Sequence, residues 1–124
     1  MTASSLLSAP RREQTPAVID EAHLRRMTLG DRSLEREVLE IFARQTILML
    51  KRMTGMEPVF AANAAHTLKG SARGIGAWRV ARTAARVEQA ATGEGRAAAM
   101  KAAIAELEAA CLEARMAIDA RLGH

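Results

Sequence analysis

Residues 62–77 read ANAAHTLKGSARGIGA and place one histidine, His66, among cations and small residues. On a helix that turns by about 100° per residue, Lys69 and Arg73 fall on the same face as His66. The opposite face is apolar or small, and it carries Phe60, Ala61, Ala64, Leu68 and Ser71. This pattern predicts an amphipathic helix that packs one side on a core and presents His66 and Lys69 to solvent on the other.

The neighbours of His66 suit a residue that carries a negatively charged group. Lys69 and Arg73 can offset negative charge near the imidazole ring. Ala62 and Gly70 lie one turn away on either side, so they leave room for a bulky group on a ring nitrogen. The face around His66 is therefore predicted to be a site for phosphoryl chemistry.

This segment resembles the motif of histidine-containing phosphotransfer (HPt) domains, a His-x-x-Lys-Gly-Ser/Ala core followed by a more distant glycine. Residues 66–71 read HTLKGS, and Gly76 stands in the later place. The resemblance is specific because all five motif positions match in register, and it extends more loosely over residues 17–120. It implies an all-α fold, an antiparallel four-helix bundle with a short additional N-terminal helix.

The resemblance also implies a function. A protein of this kind is a phosphoryl carrier of a bacterial two-component phosphorelay and not an enzyme in its own right. His66 would accept a phosphoryl group from an aspartate of a receiver domain and pass it to another receiver, Lys69 would steady the charge, and Gly70 would keep the approach open. The expected partners are response-regulator receiver domains or a hybrid histidine kinase. Mg²⁺ would belong to the receiver, so no cofactor of its own is expected, and the absence of an ATP-binding motif predicts no kinase activity.

A docking surface around His66 follows from the same resemblance. The partner would cover the apolar and small residues that border the histidine. The candidates by analogy, on the first helix and on the helix of His66, are Leu24, Met27, Val59, Ala62, Asn63 and Arg73.

Composition favours packed helices in one domain. The chain has 124 residues, 49% of them hydrophobic, yet only two Phe, one Trp and no Tyr, so its core must be aliphatic and rich in methionine. Cys111 is the single cysteine and is predicted to be a buried thiol, which is compatible with a reducing compartment. No run approaches the roughly 18 apolar residues of a membrane span. A cytoplasmic location, without membrane association, is the resulting prediction.

Periodicity divides the chain into a flexible tail over residues 1–16 and a helical domain over residues 17–124. Five helices are predicted. The first covers residues 17–28, and the second follows a cap at Asp31 or Ser33 and reaches Met53. The third begins at Pro58 and ends among Gly70, Gly74 and Gly76, the fourth covers residues 77–91, and the last follows Gly95. In the second helix the residues predicted to face the core are Leu34, Val38, Ile41, Phe42, Leu48 and Met49, and the apolar face is widened by Leu39, Ile47 and Leu50. In the last helix they are Met100, Ile104, Leu107, Cys111, Ala114 and Ile118.

An alternative of a different class is a helical adaptor, or a basic bundle that binds nucleic acid, in which His66 has no chemistry. The net charge of +4, the pI near 10.2 and a stripe of Arg79, Arg82 and Arg86 favour it. The scarcity of aromatic residues for base stacking opposes it and argues against nucleic acid as a partner. The other histidines, His23 and His124, lack motif neighbours, and the chain shows no spacing of metal ligands. A test of phosphoryl transfer separates the two hypotheses.

Overall fold

The computed structural model describes residues 17–55 and 57–123, which form five α-helices. These are α1 (Glu21–Met27), α2 (Arg32–Met53), α3 (Pro58–Ile75), α4 (Trp78–Ala90) and α5 (Arg96–Leu122). No strand occurs within the described ranges, so the predicted all-α class is confirmed. The predicted tail over residues 1–16 lies outside the described residues, as does His124, and the domain boundaries stay a prediction.

Capping residues set where the helices begin. The side chain of Asp31 accepts a hydrogen bond from the backbone N–H of Leu34 at 3.0 Å and starts α2 as predicted. Pro58 occupies the first turn of α3, where its missing N–H costs no hydrogen bond. The first helix begins at Glu21, later than predicted, because Asp20 caps it by accepting from the backbone N–H of His23.

The four long helices pack in a ring around the core. α3 lies against α2 and α4, α5 lies against α4 and α2, and α1 packs on α3. Since each long helix has two principal neighbours, α3 and α5 occupy opposite corners. The seam predicted for α5 is confirmed, with five of its residues buried and Ile104 half-buried.

The face of α2 that meets the core differs in part from the predicted one. Leu34, Ile41 and Leu48 recur every seven residues and are all exposed. The buried seam consists of Leu39, Phe42, Thr46, Met49 and Met53, so the predictions for Leu39, Phe42 and Met49 are confirmed. Apolar residues surround much of this helix, so its periodicity alone did not identify the inward side. Phe60 on α3 was likewise predicted to be buried and is exposed.

Gly76, directly after α3, is hydrogen-bonded to the residue that precedes α1. It adopts a left-handed conformation (φ 84°) just after Ile75, so α3 continues through Gly70 and Gly74 before it ends. The backbone N–H of Asp20 donates to the carbonyl of Gly76 at 3.0 Å. The carboxylate of Asp20 also accepts from Trp78 Nε1 at 3.0 Å. These contacts hold the segment before α1 against the α3–α4 turn.

Gly76→Ala is expected to destabilise the protein by about 1–3 kcal/mol, the usual cost of a strained backbone position. A Cβ at this position would lie 2.9 Å from Cβ of Asp20 and would also have to adopt a positive φ. Urea denaturation measures the change in the free energy of unfolding. Gly74→Ala is the matched control, because this helical glycine has open space around it. Equal stability of Gly76→Ala and the wild type would contradict the prediction.

Candidate functional site

His66 lies on the outer face of α3, with 70% of its side chain exposed. The opposite side of the helix packs on the core, where Leu68 and Ala65 are fully buried. The helix thus anchors itself through small and aliphatic residues while its imidazole ring remains accessible. This is the orientation that the pattern of residues 62–77 predicts.

One carboxylate, that of Glu88 on α4, bridges the two motif residues. Its Oε2 lies 2.7 Å from Nδ1 of His66, and its Oε1 lies 2.6 Å from Nζ of Lys69. His66 and Lys69 are three residues apart on α3 and so project on the same side toward α4. Lys69 was predicted to be exposed on the same face as His66, but its ammonium group is ion-paired and its side chain is only 17% exposed.

The contact with Glu88 determines which nitrogen of His66 can react. An ionised carboxylate only accepts hydrogen bonds, so Nδ1 of the ring must carry the hydrogen. In the neutral ring the other nitrogen, Nε2, then has the free lone pair. Because the side chain is largely exposed, Nε2 is available as a nucleophile toward a group that approaches from solvent.

Glu88 is ionised in the folded protein. Burial alone would raise the pKa of its carboxyl group, but the hydrogen bonds from Lys69 and His66 outweigh burial and hold the pKa below its usual value. A lowered pKa in the folded state means that this carboxylate stabilises the fold above the pKa of the unfolded chain. That contribution is lost as the pH falls through the folded-state pKa.

Comparison with known families decides the relationship that the motif suggests. A family model described as the Hpt domain matches residues 32–120, which is most of the chain. The chain belongs to the Hpt domain family. Hpt domains are phosphocarrier modules of two-component relays, distinct from kinases, and they interact with receiver domains and kinases. Neither the curated proteins nor the solved structures yield a match to this chain.

The remaining predicted site residues of this Hpt domain fall into two groups. Gly70, Asn63, Arg73, Val59 and Met27 are exposed, and Ala62 is half-buried. Leu24, by contrast, is fully buried, so its predicted contact with a partner is wrong. It is the single buried residue of the seven-residue helix α1, and α1 needs this side chain to pack on α3.

Glu88 is the residue of the site that sequence reasoning missed. It follows the buried Val87, at the border between the core face and the exposed face of α4. That position is compatible with an inward-leaning carboxylate, but it does not identify a partner on another helix. Only the packing of α3 on α4 brings Glu88 to His66.

The basic stripe on α4 of the Hpt domain is largely neutralised by α5. Arg79 donates to Glu113 and Arg86 donates to Glu106, each at 3.1 Å. These ion pairs account for two of the three arginines that had favoured nucleic acid. The structure therefore gives no special support to a basic binding stripe.

The described part of the chain shows neither a metal-binding cluster nor a membrane-spanning helix. Residues 17–55 and 57–123 contain no cluster of three His, Cys, Asp or Glu side chains that could hold a metal ion. Burial raises the pKa of the Cys111 thiol to about 12, so this cysteine is protonated at neutral pH. None of the five helices combines the length and the apolar character that crossing a membrane requires.

Proposed function

We propose that this Hpt domain carries a phosphoryl group on Nε2 of His66, accepting it from a receiver-domain aspartate and passing it to a second receiver. The observation that carries the proposal is the hydrogen bond between Nδ1 of His66 and Glu88, which leaves an exposed nucleophilic nitrogen. The motif resemblance and the family of the chain support the same role.

In the proposed reaction, Nε2 attacks the phosphorus of the aspartyl phosphate. The new P–N bond forms as the P–O bond to the aspartyl carboxylate breaks, and that carboxylate leaves with the electron pair. The imidazole ring retains its hydrogen on Nδ1 and becomes positively charged. Glu88 is placed to stabilise this charge, because its Oε2 already accepts from Nδ1.

Lys69 would act on the phosphoryl oxygens in this proposal. Its ammonium group is held beside His66 by the same carboxylate, so it is positioned before the partner arrives. Gly70 would leave clearance on the other side of the ring. The acidic pocket and Mg²⁺ would come from the receiver, so the Hpt domain would supply the nucleophile and the receiver the rest of the active site.

The docking surface that we propose is the outer face of α3 around His66. Val59, Asn63 and Arg73 are exposed there, and Ala62 borders them. Phe60 is also exposed, but it lines a pocket with Asn63 and with Met49 of α2, so it borders this surface on the side of α2. Met27 on α1 remains a candidate, whereas Leu24 does not.

The proposal also includes two predictions made from the sequence, the antiparallel arrangement of the helices and the cytoplasmic location. An antiparallel arrangement of α2 to α5 is supported by the short connections between successive helices and by their ring of contacts. The cytoplasmic location remains a prediction from the sequence.

A transfer assay tests the proposed function. Receiver domains bearing radiolabelled aspartyl phosphate are mixed with the protein, and the label is followed by gel electrophoresis. We expect a protein-bound phosphate that is labile in acid and stable in base, as a phosphoramidate is. We also expect no label from ATP alone. Failure of a broad set of phosphorylated receivers to label the folded protein would contradict the proposal.

Glu88→Ala is expected to slow transfer by about ten- to a hundredfold, as the loss of one hydrogen bond to a charged group would do. Glu88→Gln should have a smaller effect, because its amide oxygen can still accept from Nδ1 but carries no charge. Single-turnover transfer rates measure the effect of the lost charge and hydrogen bond on transfer. ¹⁵N imidazole spectra show whether the hydrogen of the His66 ring stays on Nδ1.

Glu106→Gln provides the control for Glu88, since it removes a carboxylate from an exposed ion pair on α5. It should leave both the rate and the tautomer unchanged. Wild-type transfer by Glu88→Ala would show that this carboxylate only supports the fold.

A further inference from the structure

A second charged site lies at the end of the bundle, where the turn between α1 and α2 meets the last turn of α5. It is a cavity of about 370 Å³. Four arginines line it together with one glutamate, one glycine and one leucine. These residues are Arg25, Arg32, Arg36, Arg121, Glu35, Gly30 and Leu122.

The glutamate in the cavity is paired with an arginine. Glu35 is buried, and its Oε1 lies 2.5 Å from a guanidinium nitrogen of Arg121. Arg121 also pairs with Glu21, which lies on α1. Together these contacts fix Arg121 at the wall of the cavity, where two carboxylates share its guanidinium group.

The other arginines keep most of their binding capacity. Arg36 donates to the carbonyl of Leu122 at 3.3 Å and lies 3.9 Å from Glu40. Within residues 17–55 and 57–123, neither Arg25 nor Arg32 is within ion-pair distance of a carboxylate. Two guanidinium groups thus face the cavity without a counter-charge.

The first turn of α2 adds to the positive character of the cavity. Arg32 is the first residue of this 22-residue helix, so backbone N–H groups without helical partners lie beside it. Asp31 brings a carboxylate to the same end, where its Oδ1 accepts from the backbone N–H of Leu34. Among the residues that line the cavity itself, four arginines face one glutamate, so the lining is cationic.

We propose that this cavity binds a compact polyanion that carries a diphosphate group. Guanidinium forks match phosphoryl oxygens through paired, charge-assisted hydrogen bonds, and two uncompensated arginines suit a ligand with at least two charges. The cavity lies between α1, α2 and α5, whereas His66 lies on α3 at the opposite corner from α5. The site is therefore separate from phosphotransfer and does not depend on the function proposed for His66.

Isothermal titration calorimetry with inorganic pyrophosphate, at constant ionic strength, tests the site. We expect binding of one pyrophosphate per chain. Each single variant, Arg25→Gln or Arg32→Gln, should weaken it by about tenfold and the double variant by about a hundredfold, since each lost charge-assisted hydrogen bond costs about a factor of ten. Glutamine has a helix propensity close to that of arginine, so the fold should persist. The two single variants measure separately how much each arginine contributes to pyrophosphate binding.

Arg44→Gln/Arg82→Gln is the matched control, because it removes the same charge from exposed positions outside the cavity. Binding that weakens equally in both double variants, or no binding of pyrophosphate, would overturn the proposal. A second arm uses phosphatidylcholine vesicles that contain phosphatidic acid. Vesicle binding that depends on Arg25 and Arg32, together with pyrophosphate binding, would identify a lipid headgroup as the source of the anion; vesicle binding without pyrophosphate binding would refute the cavity as the site.

Discussion

His66→Gln is expected to abolish phosphoryl transfer to this protein. Glutamine offers no ring nitrogen with a free lone pair, so no P–N bond can form at this position. The fold should persist, because the side chain is largely exposed and its contact with Glu88 lies outside the hydrophobic core. The measurement is the protein-bound label after incubation with a phosphorylated receiver, with circular dichroism as the check on folding.

His23→Gln is the control for the nucleophile. His23 is the other described histidine, and its Nε2 hydrogen bonds to the carbonyl of Arg73 at 2.8 Å, which ties α1 to α3. A glutamine amide can still donate to that carbonyl, and label transfer should persist. Undiminished labelling of His66→Gln would mean that another residue accepts the phosphoryl group.

Gly70→Gln is expected to block transfer while the protein stays folded. Gly70 lies one turn beyond His66 on the exposed face of α3, and a side chain there would occupy the space that the phosphoryl group and the partner need. Within the described part of the chain, a Cβ at this position would meet no atom closer than 4 Å. The glycine is therefore not required for packing of α3 on α4.

Gly70→Ala separates clearance from backbone effects. Its small side chain should reduce transfer less, and it can stabilise the helix by up to about 1 kcal/mol, since glycine is unfavourable inside helices. Transfer rates and urea denaturation are compared for the two variants. If Gly70→Gln folds normally and transfers at the wild-type rate, the clearance role of Gly70 is wrong.

The sequence predicts those features that depend on residues close together in the chain. Asp31 and Pro58 mark helix starts through local hydrogen bonding and backbone geometry, and the structure places both where expected. The orientation of His66 is also local, because it follows from which residues of one helix are apolar. The family match agrees with the motif from which the relationship was inferred.

Features that depend on which helices meet are the ones that sequence reasoning misjudged. Leu24 is apolar and near the expected surface, yet it is the one buried side chain of α1 and anchors that helix in the core. Ile41 and Leu48 look like core residues until the neighbours of α2 are known. Glu88 has no motif around it, and its role arises from a pairing across 22 positions of the chain.

The contacts of Asp20 bear on how this protein can be dissected. The segment that matches the family begins at residue 32, yet Asp20 holds the turn after α3 through Gly76 and Trp78. Ile19 and Leu24, which precede the matched segment, are both buried in the core. A fragment trimmed to the family boundary would expose apolar surface at the end of the histidine helix. The smallest unit that folds autonomously should therefore include α1 and the residues before it from at least Ile19.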